Sequence, residues 1–347
     1  MPRVIALEDA LQLDNPIFID MRSPCEYRQG CIPGAISLPL LDDAERCAVG
    51  TTYRTVGPEQ AKQQGLSIVA GKLPELVSQI RAHCRTGRPV IIYCWRGGMR
   101  SKSVVTILEL MDIPAFQLAG GYKAYRTYVL ERLAAFRLRP TVVVLSGSTG
   151  VGKTAMLKRL EQAGLPVIDL EALANHRGSV FGQIGLGRPQ TAQNFDALLL
   201  MELSRLNDQP FIVVECESKR IGNVYLPEVL YQGMQQGKKV LVRAGVETRV
   251  SRLIDEYVDI EDNHREETIS SIAALAKRLG KARTDQLLEA FAAGRVREVV
   301  RTLLTDYYDP LYGYEQAAPS AFDRIVEAED IDRASSEIIE YLNTLRG

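Results

Sequence analysis

The apolar run Thr141-Val142-Val143-Val144-Leu145, followed after Ser146 by Gly147-Ser148-Thr149-Gly150-Val151-Gly152-Lys153-Thr154, constrains this chain more than any other part of it. A short β-branched run reads as a buried strand, and Lys153 to Ala163 reads as an amphipathic helix. The residues between them fit G-x-x-x-x-G-K-[ST] in full. A strand that enters a glycine loop and leaves as a helix opens a parallel βαβ unit, which commits the surrounding chain to an α/β fold. In such a loop backbone N–H groups cradle a di- or triphosphate, Lys153 neutralises the outer phosphate, and Thr154 is the residue to hold Mg²⁺.

The same alternation recurs on both sides. Strands are expected at Ile17 to Asp20 and Val90 to Tyr93, helices at residues 73 to 84 and Ser101 to Met111, and a linking helix at Tyr122 to Arg137. Beyond the glycine loop, strands are expected at Pro166 to Asp169, Phe211 to Glu215 and Lys239 to Val242, and from about residue 263 the periodicity turns helical. With 347 residues, two domains are the ordinary expectation. The boundaries read as an α/β domain over 1–130, a linker over 131–139, a phosphate-loop α/β domain with a mainly parallel sheet over 140–262, and a helical C-terminal extension over 263–347.

A formal net charge of -1 argues against nucleic-acid binding driven by bulk charge. A surplus of five positive charges up to residue 140 and of six negative ones after it leaves room for a local basic patch. The six cysteines, Cys25, Cys31, Cys47, Cys84, Cys94 and Cys216, form no CxxC pair and no regular framework, which suits reduced thiols in a cytoplasmic protein. Acids occupy the N-terminal stretch where a signal peptide has its apolar core, and no apolar run approaches the ~18 residues of a membrane span. No membrane contact is expected. His83, His176 and His264 lie far apart, so no structural zinc site is expected.

A second loop also follows a strand. Cys94 ends the run Val90 to Tyr93 and is followed by Trp95-Arg96-Gly97-Gly98-Met99-Arg100-Ser101, where a helix begins. Backbone N–H groups around Gly97 and Gly98 and the positive end of that helix favour a thiolate, and Arg96 and Arg100 add fixed charge. The arrangement suits a nucleophile in a bowl that also holds an oxyanion or a chalcogen. For Arg100 the alternative is a helix-capping or salt-bridging role.

Three further segments belong with the phosphate loop. Glu215 and Glu217 stand at the end of a strand and are candidates for binding Mg²⁺ or acting as a base. The glycine-punctuated stretch from Leu173 through His176, Arg177, Val180, Phe181 and Gly182 reads as a lid or a base-stacking contact. Lys219 and Arg220 open a segment running to Arg252 that is rich in basic residues and reads as an RNA patch or a solvated face.

Residues 1 to about 130 resemble a rhodanese domain. Asp20-Met21-Arg22-Ser23-Pro24-Cys25-Glu26-Tyr27 with Gly30-Cys31-Ile32-Pro33-Gly34-Ala35 matches that family's early motif, and the resemblance puts Cys94 on its catalytic cysteine. The chain departs from the family at Cys31, where histidine is usual. It departs also in the loop, where Cys94 to Arg100 spans seven residues, as in cysteine-dependent phosphatases of the same fold, rather than six. A sulfur donor and a tetrahedral phosphate-like group both stay open as what Cys94 meets.

Over nearly its full length the chain resembles the tRNA 2-selenouridine synthase family, through the order rhodanese, GSTGVGKT, HRGSVFG and VVECESKRIGN. The resemblance implies replacement of sulfur by selenium in 2-thiouridine at the tRNA wobble position. Selenophosphate would be the donor, and an S-geranyl intermediate would be made from geranyl diphosphate. Both donors are substrates, and no tightly bound cofactor is implied. The phosphate loop then takes either the prenyl diphosphate or a nucleotide, and Cys94 either carries selenium or attacks the base at C2. A geranyl chain also needs an apolar groove, for which the helical tail with Tyr307-Tyr308-Asp309-Pro310-Leu311-Tyr312-Gly313-Tyr314 is a candidate; core packing or a C-terminal turn is the favoured alternative for that cluster, and contact with tRNA a third. Competing readings are a P-loop kinase or NTPase with a regulatory rhodanese module, a cysteine phosphatase, and a non-catalytic RNA-binding adaptor. Oligomeric state is not legible in the sequence.

Overall fold

The computed structural model describes residues 3–179, 181–314 and 318–346, and side chains throughout these except over 256–263. Val180 of the glycine-punctuated stretch lies outside the described residues. The chain divides into two compact units, one of residues 1–135 with 191–200 and one of residues 136–190 with 201–347.

The first unit is built on five parallel strands, β1 (Val4–Ile5), β2 (Ile17–Asp20), β3 (Ile36–Ser37), β4 (Val90–Tyr93) and β5 (Phe116–Leu118), in the order β1-β5-β4-β2-β3. Every residue of β2 and β4 is buried, because a parallel strand covered on both faces must be apolar along its length rather than alternating. Ile19, Ile92, Val104 and Leu108 sit in the core that the helices Leu73–Cys84 and Met99–Leu110 close.

The second unit carries a parallel sheet of β6 (Thr141–Ser146), β7 (Val167–Ile168), β8 (Phe211–Glu215), β11 (Lys238–Arg243) and β12 (Arg324–Glu327), in the order β12-β11-β6-β8-β7. A small antiparallel hairpin, β9 (Arg220–Ile221) with β10 (Val224–Tyr225), stands apart from it. From β6 the chain builds outward to β8 and β7 on one side and then to β11 and β12 on the other. The phosphate loop therefore leaves β6 at the switch point of the sheet, where ligands of open α/β sheets bind. Cys94 follows β4 in the same way.

Beyond residue 263 the expected helices are present, at Arg265–Ala274, Ala276–Leu279, Lys281–Ala292 and Val296–Thr302, with a π-helical turn at Leu303–Tyr308. They gather a core of their own around Ile272, Leu287, Phe291, Leu304 and Tyr308. The chain does not remain an appended helical tail. It returns through β12, an unexpected strand at the sheet edge, and through the helix Ile331–Thr344, whose Ala334, Ile338 and Leu342 complete the core of the second sheet. Two further helices that the periodicity did not announce, Asp43–Thr55 and Pro58–Ala70, pack against each other in the first unit.

Candidate functional site

Cys94 is buried at the end of β4, only 3% exposed, and is one of the residues lining a cleft of about 960 Å³. The Gly98 N–H points at Sγ from 3.2 Å and the Ser101 hydroxyl lies 3.3 Å away. Gln117 Nε2 donates to both Ser101 Oγ and the Gly97 carbonyl, which leaves the Ser101 proton for the sulfur or for Gly98 O. The Gly98 N–H and the Ser101 hydroxyl thus converge on the sulfur at the start of the helix Met99–Leu110. The loop is clamped from behind, because Tyr122 N donates to Cys94 O and Lys123 N to Trp95 O. Gly121 permits this approach: it has φ +58°, and a Cβ there would stand 2.2 Å from Cys94 O.

The two loop arginines separate. Arg100 is bound to Glu26 by a two-point ion pair, with Nη1 2.5 Å from Oε2 and Nη2 3.0 Å from Oε1. Glu26 also accepts from Ser23 N in the capping box that starts the helix Pro24–Gln29. The salt-bridging role for Arg100 is thus the one the geometry displays. Arg96 is exposed and has no hydrogen-bond or ion-pair partner among the described residues. Beneath the loop lies a pair that sequence reasoning did not single out, Asp20 with Arg22, both fully buried and 2.6 Å apart. Its guanidinium also donates to Gly30 O and lies 3.9 Å from the centre of the Tyr122 ring.

In the second unit the phosphate loop is held by its carbonyls. Lys153 Nζ donates to Gly147 O at 2.8 Å and to Ser148 O at 3.4 Å, Arg249 Nε to Thr149 O at 2.9 Å, and Arg252 Nη1 to Val151 O at 2.9 Å. Arg249 is itself locked in a buried ion pair with Asp309, 2.6 Å away. Thr154 is exposed on the first turn of the helix Lys153–Gln162.

Next to Lys153 stands a group of carboxylates. Glu215, at the end of β8, is 2% exposed; one oxygen accepts from Glu171 N at 2.7 Å and the other, Oε2, has no partner among the described residues. Burial, then the charge of Asp169, pushes its carboxyl up to about 8. Glu171 and Glu217 share a hydrogen bond, and burial raises both. The charge of Glu217 raises Glu171 further, while Lys153 opposes the rise in each. Gly178 lies directly on them: at φ +66°, its Cβ would fall 2.6 Å from Glu217 Oε1 and 2.9 Å from Glu171 Oε1. Among the described residues no group of three or more His, Cys, Asp or Glu side chains is arranged to hold a metal by itself. A partnerless buried carboxylate oxygen beside a phosphate loop instead fits a hydrated Mg²⁺ that arrives with its phosphate.

The remaining expected residues are engaged as follows. His176 accepts from Gly178 N through Nδ1 at 3.1 Å, and burial lowers its pKa. Arg177 braces its own loop by donating to Ile184 O at 3.0 Å. Lys219 pairs with Glu228 at 2.6 Å, and Arg220 donates to Gly222 O at 2.8 Å. Phe181 faces an apolar cavity of about 150 Å³ whose wall runs from Thr149 of the phosphate loop through Leu253, Ile272, Phe291, Val299 and Leu304. Tyr307 and Tyr308 are core residues, whereas Tyr312 is hydrogen-bonded to Thr149 and Tyr314 to Cys216 and Ser146, with their rings stacked 5.6 Å apart.

A family model described as the tRNA 2-selenouridine synthase AAA domain matches residues 140–345, and one described as a rhodanese-like domain matches residues 5–128. A tRNA 2-selenouridine synthase of Pseudomonas syringae pv. syringae is 33% identical, with 96% of each chain covered. The one of Hydrogenovibrio crunogenus is 36% identical over 88% of this chain and 91% of its own. The chain belongs to the tRNA 2-selenouridine synthase family. Its α/β architecture of a rhodanese domain followed by a phosphate-loop domain is the one the family motifs imply. Glu171 and Arg249 touch the phosphate-loop region without having been singled out in the sequence, and Asp309 and Tyr312, read there only as part of an aromatic stretch, reach it through Arg249 and Thr149. A motif scan has no means of finding them, since each joins the site from a distant segment.

Proposed function

We propose that this enzyme converts wobble 2-thiouridine in tRNA to 2-selenouridine with selenophosphate as donor, through an S-geranyl intermediate made from geranyl diphosphate. The observation that carries the reading is the apolar cavity whose wall begins at Thr149, on the phosphate loop itself. A nucleotide would bring a polar base and ribose to that wall. A prenyl diphosphate matches both halves, with its diphosphate at Lys153 and its hydrocarbon along Phe181, Ile272 and Leu304. In the first step the thiocarbonyl sulfur attacks C1 of the prenyl group. The S–C bond forms as the C–O bond breaks, diphosphate leaves with the bonding pair, and the base loses its N3 proton. Lys153 stabilises the charge that develops on the leaving group. Thr154 and Glu215 would hold Mg²⁺, whose chemistry there is further neutralisation of that charge.

Cys94 serves the second step. With Arg100 engaged by Glu26, its loop has one cation fewer for a tetrahedral anion, which favours attack on the base over capture of selenophosphate. Sγ adds to C2 of the geranylated base and geranyl thiolate leaves, taking a proton. Hydrolysis of selenophosphate to phosphate supplies hydroselenide, which displaces Cys94 from C2. Water is the co-reactant, and the thiol is regenerated.

Mass spectrometry of nucleosides from 2-thiouridine tRNA treated with both donors tests this. Cys94→Ser is expected to lower selenation by on the order of 10³-fold or more while S-geranyl-2-thiouridine accumulates. Lys153→Ala is expected to raise the KM for geranyl diphosphate tenfold or more, from the about 1.5–3 kcal/mol of a charged hydrogen bond. Loss of both products in folded Cys94→Ser protein overturns the division of labour. ATP turnover without tRNA would point to the kinase or NTPase reading.

A further inference from the structure

Trp95 is the only tryptophan in the chain, and it sits next to the nucleophile with 37% of its surface exposed on the wall of the Cys94 cleft. So large an apolar side chain is ordinarily buried, and this one is held out by design of the loop. Its carbonyl is fixed by Lys123 N, and its ring is backed by Tyr122, with centroids 5.8 Å apart, and by the Arg22 guanidinium 6.0 Å from its centre. Tyr122 is in turn fixed by a hydrogen bond to Gln193 at 3.0 Å and by the guanidinium lying over its ring. The indole is therefore packed against Tyr122, tilted by 41°, and near the Arg22 guanidinium, while 37% of its surface stays open. Beside it, Arg96 is a cation without a partner among the described residues.

We propose that Trp95 is the platform on which the substrate uracil base stacks when it is turned out of the anticodon loop, with Arg96 taking the adjoining backbone phosphate. The inference rests on the reading that Cys94 acts on the tRNA base. A single-stranded loop base has a free π-face, and proteins that work on such bases characteristically offer an aromatic plate and a cation. Stacking on the residue next to Cys94 brings the plane of the ring, and hence C2, within reach of Sγ without demanding any sequence-specific contact.

Because Trp95 is the sole tryptophan, its emission reports on this site alone. A seven-nucleotide RNA with 2-thiouridine at its centre is titrated into the full chain, alongside the same RNA with an abasic central position. Quenching by the first and at least threefold less by the second is expected; equal quenching, or none on binding, overturns the platform. In parallel, Trp95→Leu is expected to lower kcat/KM for selenation of S-geranyl tRNA about tenfold or more, as loss of one stacked base implies. Trp95→Phe is expected to retain most of that activity, geranylation in both variants is expected to stay unchanged, and an unaltered urea midpoint followed by far-UV circular dichroism shows that they fold. Full selenation by Trp95→Leu overturns the proposal while leaving the enzyme's function standing. Absence of selenation by the unaltered protein would instead remove the reading beneath it.

Discussion

Glu215 holds a carboxylate in the core with one oxygen satisfied by Glu171 N and the other by nothing among the described residues. Such a group resists ionisation, and its carboxyl is pushed up to about 8 by burial. For an acid raised above its unfolded value, the folded state binds more protons at intermediate pH. Stability therefore falls as pH rises from about 4.5 to about 8, and at ~1.4 kcal/mol per unit the whole effect is on the order of 5 kcal/mol. Glu215→Gln keeps an acceptor for Glu171 N and removes the titration. In the presence of chelator it is expected to be more stable than the unaltered protein at pH 8 and no more stable at pH 5, as read by urea unfolding. Equal slopes of stability against pH in the two proteins would show that Glu215 is solvated and ionised. Glu171 and Glu217 contribute a slope of the same sign, since burial raises both, so a reduced slope rather than a flat one is expected.

At the scale of elements, the helix Val246–Asn263 acts as a brace: Arg249 and Arg252 each donate to a phosphate-loop carbonyl, and Arg249 is anchored by Asp309. Asp309→Ala leaves a buried guanidinium unpaired, which costs about 3–5 kcal/mol. A lowered midpoint of unfolding together with a raised KM for geranyl diphosphate is the expected outcome. A lowered midpoint with unchanged KM would mean that the brace serves stability alone. This brace also marks the limit of what was legible in the sequence. The two loops announced themselves because strand, glycines and helix are contiguous, as at Val90 to Ser101 and Thr141 to Thr154. Arg249 lies 100 residues from Thr149 and 60 from Asp309, and no periodicity links them. Arg324–Glu327 was silent for a related reason, since a four-residue edge strand with two exposed charged ends gains its identity only from pairing with β11. The helix Asp43–Thr55 carries no fully buried residue, so it has no apolar stripe to read.

At the scale of the whole molecule, the first unit is not contiguous in sequence: it ends at residue 135 and is completed by residues 191–200. That returning segment opens the helix Ala192–Leu206 and supplies partners that the first 135 residues lack. Asn194 Oδ1 accepts from Cys31 N at 2.9 Å, Asp196 pairs with Arg126 at 2.7 Å, and Phe195 is completely buried. The rhodanese-like part of this chain is thereby made to depend on sequence that lies beyond the phosphate loop. Phe195→Ala in the full chain removes a core aromatic and is expected to cost about 3–5 kcal/mol. The emission of Trp95 reads that loss in the first unit selectively, as a urea midpoint shifted downward. A fragment of residues 1–135 is expected to share the defect and to be stabilised, in a concentration-dependent way, by a peptide of residues 191–206, with the Phe195→Ala peptide ineffective. Should the fragment unfold at the same midpoint as the full chain and ignore the peptide, the returning helix would be an accessory to the first unit. If the peptide rescues it, the Cys94 loop requires the second half of the chain for folding, and on the proposed route for preparing its substrate as well.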